Sequence, residues 1–154
     1  MSDSHPDFEL EQARDAIREA GLRVTRPRLV AYALLREIGG HRSVDEMVGL
    51  LAERGESLSR MSAYNVVGDL TRAGLLMCAE IGHGRALYEA SETWHHHFVC
   101  RECQEVFDVR CVVAAKPCIE APTDLPGTVD EAQITFRGIC NACAEAKPRS
   151  EESN

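Results

Sequence analysis

The residues best equipped for chemistry are seven cysteines and a run of histidines. Four of the cysteines form two C-x-x-C pairs, Cys100/Cys103 and Cys140/Cys143, with 36 residues between them. Each pair sits beside a segment that reads as a strand, so the two can converge on one tetrahedral site. Four thiolates satisfy Zn(II) and leave no coordination position open, which makes such a site structural. The rival chemistry is thiol–disulfide exchange, which needs a C-x-x-C at a helix N-terminus in a thioredoxin-like βαβ setting. Neither pair reads as placed there. Cys78, Cys111 and Cys118 are left over; they read as small core or sheet residues, the usual fate of a free cysteine, with a Cys111/Cys118 redox pair as the alternative.

A second constellation comprises Glu89, His95, His97 and Asp108, with His41 as a fifth candidate ligand. Alternate residues of a strand point to one side, so His95 and His97 are presented together while His96 faces away. Carboxylates added to two imidazoles give a nitrogen and oxygen site that accepts Fe(II) or Mn(II) as well as Zn(II) or Ni(II). The bland alternative is a polar strand edge with a chance histidine run, and nearness to the cysteine pairs favours the metal.

These side chains need elements to hold them. Leu10, Ala13, Ile17 and Ala20 recur at helical spacing up to Gly21. Thr25 can cap a second helix, whose first turn tolerates Pro27, and which runs to Gly39-Gly40. Ser43 and Glu46 have the form of a capping box for a third helix ending at Gly55. Ser59 opens a fourth, with Met61, Val66, Val67 and Leu70 as its apolar set and Gly74 as its stop. LLMCAEI and RALYE around Gly82-His83-Gly84 then read as a hairpin, and helices followed by a hairpin make a winged helix-turn-helix. Beyond Thr93, HHHFVC, EVFDVRC and Val129–Ile139 read as three strands of a small sheet. The fold class expected is therefore α+β: a winged-helix domain over 1–88, a hinge about 84–92, a small α/β domain over 89–146 stapled by zinc, and a disordered tail, 147–154.

The formal charge of -8 excludes a protein that coats nucleic acid by bulk attraction, and neither half is basic overall. Positive charge is local, in Arg23, Arg26 and Arg28 and again in Arg60 and Arg72. The fourth helix would lay its first turn in a major groove. Arg60, Ser62, Ala63, Tyr64 and Asn65 are then the candidates for DNA contact, with Arg23, Arg26 and Arg28 on the flanking backbone. Ordinary surface arginines on a helical subdomain are the alternative, and the hairpin tips the balance toward DNA. No apolar run approaches the roughly 20 residues of a membrane span. The acidic start has no signal-peptide h-region, so a reducing cytoplasm is the expected setting.

Over Leu10 to Ala144 the sequence resembles the ferric uptake regulator family. LRVTRPRL, SRMSAYNVVGDLTRAGLL, HHHFVCREC, FDV and CNAC occur in the family's order and spacing. The resemblance implies a homodimer, held by the second domain, that binds double-stranded DNA at an AT-rich inverted repeat when a regulatory metal is bound. It carries a structural zinc onto Cys100, Cys103, Cys140 and Cys143, and the sensing metal onto His41, Glu89, His95, His97 and Asp108. Trp94 and Ala115 stand where some relatives have ligands for a third metal, which implies that this site is absent.

Within the family the chain is most similar to the actinobacterial branch that controls catalase-peroxidase genes, because DVRC and AAKPC place Cys111 and Cys118 as that branch does. In peroxide-sensing relatives Fe(II) reacts with hydrogen peroxide and a ligating histidine is oxidised, which the resemblance carries to His41 or His95. Glu89 departs from this, since the peroxide sensors carry Asp there and iron sensors often carry Glu. The function expected is a repressor of oxidative-stress or iron-homeostasis genes, released by metal loss or peroxide. The alternatives are a zinc, nickel or manganese uptake regulator, or, from another class, a thiol or metal enzyme or a zinc-stapled interaction module. The sequence offers no nucleophile and base pair for an enzyme.

Overall fold

The computed structural model describes residues 6–82, 84–91, 93–113 and 115–146, with side chains from residue 9 onward. Two compact units, bounded Met1–Glu92 and Thr93–Asn154, divide the chain. The division lies beyond the expected end at residue 88, at the far edge of the expected hinge, because strand pairing carries the first unit through Glu89. The expected disordered tail, 147–154, and His83 of the hairpin turn lie outside the described residues.

The first unit contains α1 (Pro6–Glu19), α2 (Arg26–Ile38), α3 (Val44–Glu53), α4 (Arg60–Arg72), β1 (Met77–Gly82) and β2 (Arg85–Glu89). Its helices form because apolar residues recur on one face of each, and those faces meet: Ile17, Leu34, Leu35, Met47, Leu51, Val67 and Leu70 are fully buried in one cluster. Burying each of the larger of these side chains contributes about 1.5–3 kcal/mol. The capping box forms as expected, with Ser43 Oγ accepting from the Glu46 N–H and Glu46 Oε2 accepting from the Ser43 N–H. Thr25 occupies the N-cap of α2, but its side chain makes no capping hydrogen bond. Gly74 takes φ +76° just past α4, a left-handed conformation that favours glycine.

Met61 corrects the expected core of α4. It is 73% exposed, because it lies on the face of α4 opposite the one that Ala63, Val66, Val67 and Leu70 turn into the core. Antiparallel β1 and β2 form the expected hairpin, with a register irregularity between Glu80 and Gly82. Beyond the hairpin, Arg42 and Tyr88 exchange both backbone hydrogen bonds, 2.9 and 2.8 Å, so β2 is also tied to the segment before α3.

The second unit is a three-stranded sheet in the order β4-β3-β5, with β3 at His95–Cys100, β4 at Val106–Arg110 and β5 at Thr135–Gly138, followed by α5 (Asn141–Ala146). β3 pairs antiparallel with β4 and parallel with β5. The strand expected over Val129–Ile139 is shorter, since only Thr135–Gly138 lies opposite β3, from His97 to Cys100. In α5 the Ala144 N–H bonds the Cys140 carbonyl at 2.9 Å. Among the described residues no helix is long and apolar enough to cross a membrane.

Candidate metal centres and nucleic-acid interface

Cys100 ends β3 and Cys103 lies in the turn that follows, while Cys140 follows β5 and Cys143 stands in the first turn of α5. Parallel pairing of β3 with β5 sets Cys100 opposite Gly138 and so brings the two pairs together. The four Sγ atoms all lie within 4.8 Å of one another. One pair thus does open a short helix, contrary to the sequence expectation. No described strand follows α5, however, so the βαβ setting of a redox motif is missing.

The electrostatics of the four thiols suit a cation. Backbone N–H groups of Cys140 and Cys103 hold the Cys100 thiol down at about 6; the Cys140 N–H is 3.4 Å from its sulfur. Cys143 is pushed up to about 12 by its hydrogen bond with Cys140, by desolvation and by the other thiols nearby. Cys103 is also raised: the Glu105 N–H favours its thiolate, but the hydrogen bond with Cys100 and desolvation outweigh it. One thiolate is therefore favoured and further ionisation is resisted, until a divalent cation supplies compensating charge.

The other candidate ligands fall into one set on each unit. On the first, the Arg42–Tyr88 bridge makes His41 and Glu89 cross-strand neighbours, and His41 Nε2 lies 3.2 Å from Glu89 Oε1. On the second, His97 pairs directly with Asp108 across β3 and β4. His95 Nε2 is 3.3 Å from Asp108 Oδ1, and the His95 and His97 rings are 4.8 Å apart. Ligand atoms of His95, His97 and Asp108 all lie within 4.8 Å of one another. His95 Nδ1 is 2.9 Å from the Thr93 carbonyl; donation there leaves the Nε2 lone pair for a metal. His96 faces the other side of β3, as the strand period requires.

The DNA-contact candidates divide. In the first turn of α4, Tyr64 and Asn65 are exposed, and the Arg60 guanidinium stands 5.9 Å from the Tyr64 ring centroid while pairing with Asp45 at 2.9 Å. Ser62 is drawn into the N-cap, its N–H bonding Ser59 Oγ at 3.1 Å. Ala63 is a correction: its methyl is fully buried in the core cluster and faces away from any groove. Arg23 is exposed and Arg26 pairs with Glu56. Arg28 is half-buried against Asp69 at 2.6 Å and donates to the Arg23 carbonyl, so it braces α2 against α4. Sequence reasoning missed Met61, whose exposure beside Tyr64 gives this turn an apolar tip; an apolar residue at helical spacing carried no signal that it pointed outward.

Residues 19–118 match the Ferric uptake regulator family. The chain belongs to that family. It is 35% identical to the transcriptional regulator FurA of Mycobacterium tuberculosis over 92% of either chain. Its fold is similar to that of the Vibrio cholerae ferric uptake regulator, a structure described as revealing rearrangement of the DNA-binding domains, with TM-score 0.60 and 27% identity over 82% of this chain and 98% of that one. It is also similar to the Pseudomonas aeruginosa ferric uptake regulator with manganese, with TM-score 0.67 and 24% identity over 84% and 98%. Fur-family members are metal-responsive, DNA-binding transcriptional regulators and not enzymes, and the present chain has the family's helical first domain and α/β second domain.

Proposed function

We propose that this Fur-family regulator is a metal-dependent repressor that binds an AT-rich inverted repeat as a homodimer in the cytoplasm. Cys100, Cys103, Cys140 and Cys143 would hold structural Zn(II). His41 and Glu89 on the first unit, with His95, His97 and Asp108 on the second, would serve one regulatory ion, Fe(II) or Mn(II). The observation that carries this reading is the arrangement on β3, where His95 Nδ1 lies 2.9 Å from the Thr93 carbonyl and His97 lies opposite Asp108. Two imidazoles and carboxylate oxygen form a donor set for a borderline or hard divalent ion, unlike the all-sulfur cluster.

A second copy is the occupant proposed for the outer face of the second unit's sheet. Phe107, Phe98 and Phe136 stand in register across its three strands, and Phe107 and Phe136 remain 39% and 48% exposed. An apolar row of this kind is covered in a stable protein. Pairing through it would present two α4 helices to two half-sites.

Derepression would follow metal loss or peroxide. His41 and His95 would help to hold Fe(II), which would supply the electron that reduces hydrogen peroxide, and either imidazole would be the side chain oxidised. The genes controlled would then be those of oxidative stress or iron homeostasis. The test is operator binding by zinc-loaded protein with Fe(II), Mn(II), Zn(II) or Ni(II) added anaerobically, before and after stoichiometric peroxide. Restored binding with Fe(II), lost on peroxide with an oxygen added to His41 or His95, is the expected result. Binding that follows zinc or nickel and ignores peroxide would overturn the redox reading and leave an uptake regulator.

A further inference from the structure

One group of ligating side chains takes no part in the sites above. His96, on the face of β3 opposite His95 and His97, lies against Cys111 and Cys118, and the three ligand atoms are all within 4.8 Å of one another. His96 Nε2 is 3.1 Å from Cys118 Sγ. Cys111 follows directly on β4 and is buried; Cys118 lies seven residues further on and is partly buried. We propose that His96, Cys111 and Cys118 form a third metal site, for Zn(II), with one coordination position left open.

Three observations carry this beyond a chance contact. The first is the donor set: two thiolates and an imidazole are the ligands of Zn(II), and the harder ions that suit carboxylate sites compete poorly for sulfur. The second is placement. His96 is buried, and Nε2 is the ring nitrogen turned toward the thiols, 3.1 Å from Cys118 Sγ. The third is that the connecting loop is held down beside the group. Lys116, two residues before Cys118, lies over the Trp94 ring at 4.1 Å and pairs with Glu131 at 3.0 Å, which ties it to the residue that precedes β3. Across a tetrahedral zinc, nitrogen and sulfur ligands stand about 3.5 Å apart, so His96 and Cys118 need spread only by a few tenths of an ångström to admit the ion.

The site differs from the one implied to be absent by Trp94 and Ala115, since neither residue is a ligand here. It also differs from the Cys100/Cys103/Cys140/Cys143 cluster in kind. With three protein ligands and Cys118 only partly covered, its ion is reachable and exchanges, whereas four thiolates enclose theirs. From β4 to β5 the described residues 111–113 and 115–134 contain no helix or strand. Zinc at this site would fasten the start of that segment to the middle strand of the sheet.

The test is a Co(II) titration of the full-length, reduced protein carrying one retained zinc per chain, with zinc measured before and after each addition. Thiolate-bound Co(II) gives an intense near-ultraviolet charge-transfer band, and Co(II) held by imidazole and carboxylate does not. The expected result is a band corresponding to two thiolates per chain, displaced by Zn(II), lost in Cys118→Ser and Cys111→Ser, shifted in His96→Ala, and retained in His97→Ala. His96→Ala keeps both thiols, so it remains informative if a serine variant folds poorly. Absence of the band while the first zinc is retained, or a band indifferent to all three substitutions, would overturn the proposal.

Discussion

At the scale of single residues, the protonation of the four clustered thiols governs how zinc is taken up. Metal can bind only thiolates, so any thiol still protonated must release its proton to the solvent. Cys100, at about 6, is ionised at neutral pH, while Cys103 lies above its usual range and Cys143 at about 12. Between about pH 6 and 8, zinc must therefore displace at least the two protons on Cys103 and Cys143, and its apparent affinity should rise at least about 100-fold per pH unit. Below about pH 6 Cys100 adds one more proton and the dependence steepens. Competition against a chelator of known affinity at several pH values measures this slope; a flat profile would show that the cluster is not the zinc site. Arg60 gives a second prediction at this scale. It is shared between Asp45, at the start of α3, and the face of Tyr64 on α4. Arg60→Ala should weaken operator binding by about 1–3 kcal/mol if the side chain reads a base, with discrimination lost at one position. If it holds a phosphate instead, binding should weaken evenly across sequences and the salt slope fall by about one. An unchanged affinity and salt slope would remove Arg60 from the interface.

At the scale of elements, the capping box of α3 can be tested against pH. The Glu46 carboxyl is held below its usual value, first by the Ser43 backbone N–H and also by the Ser43 hydroxyl, against a smaller effect of desolvation. A lowered carboxylate contributes stability above its unfolded value of about 4.5 and loses that contribution as pH falls through the folded value. Ser43→Ala should cost about 1 kcal/mol at neutral pH, a fall of several degrees in Tm. The gap between parent and Glu46→Gln should close as the solution is acidified below about pH 4; thermal melts at several pH values give both numbers. This box was legible because S-x-x-E places both partners by local helical geometry. The same holds for the starts of α2 and α4 and for the hairpin of β1 and β2. The approach of the two C-x-x-C pairs was legible too, since each adjoins a strand. What escaped the sequence depends on contacts distant along the chain. Met61 and Ala63 sit in the same turn as Tyr64, yet which face enters the core is decided by α2 and α3. The His96/Cys111/Cys118 group likewise needed the β3–β4 register and the path of the following loop. The Arg42–Tyr88 bridge, which sets His41 beside Glu89, has no local signature at all.

At the scale of the whole molecule, the proposed regulatory ligands are split between the two compact units, and that division is what would make a metal a switch. An ion that draws ligands from both units favours arrangements in which all five reach it, and only this difference in affinity can shift a population. By linkage, the factor by which operator DNA tightens the regulatory ion must equal the factor by which that ion tightens DNA, with typical couplings of about 1–3 kcal/mol. In a homodimer two ions act on one operator, so the operator affinity should change by the square of the mean per-ion factor. A tenfold tightening of each ion by DNA then corresponds to about 100-fold tighter DNA. Anisotropy titrations of labelled operator with and without Mn(II), set beside Mn(II) isotherms with and without operator, should agree through that square. His41→Ala and His97→Ala each remove a ligand from one unit only, and each should abolish the coupling while the structural zinc stays bound. If Mn(II) affinity is indifferent to DNA, or if coupling survives His41→Ala combined with Glu89→Ala, the first unit does not contribute to the regulatory ion. The metal would then act within the second unit alone, by holding β3 and β4 or the dimer face.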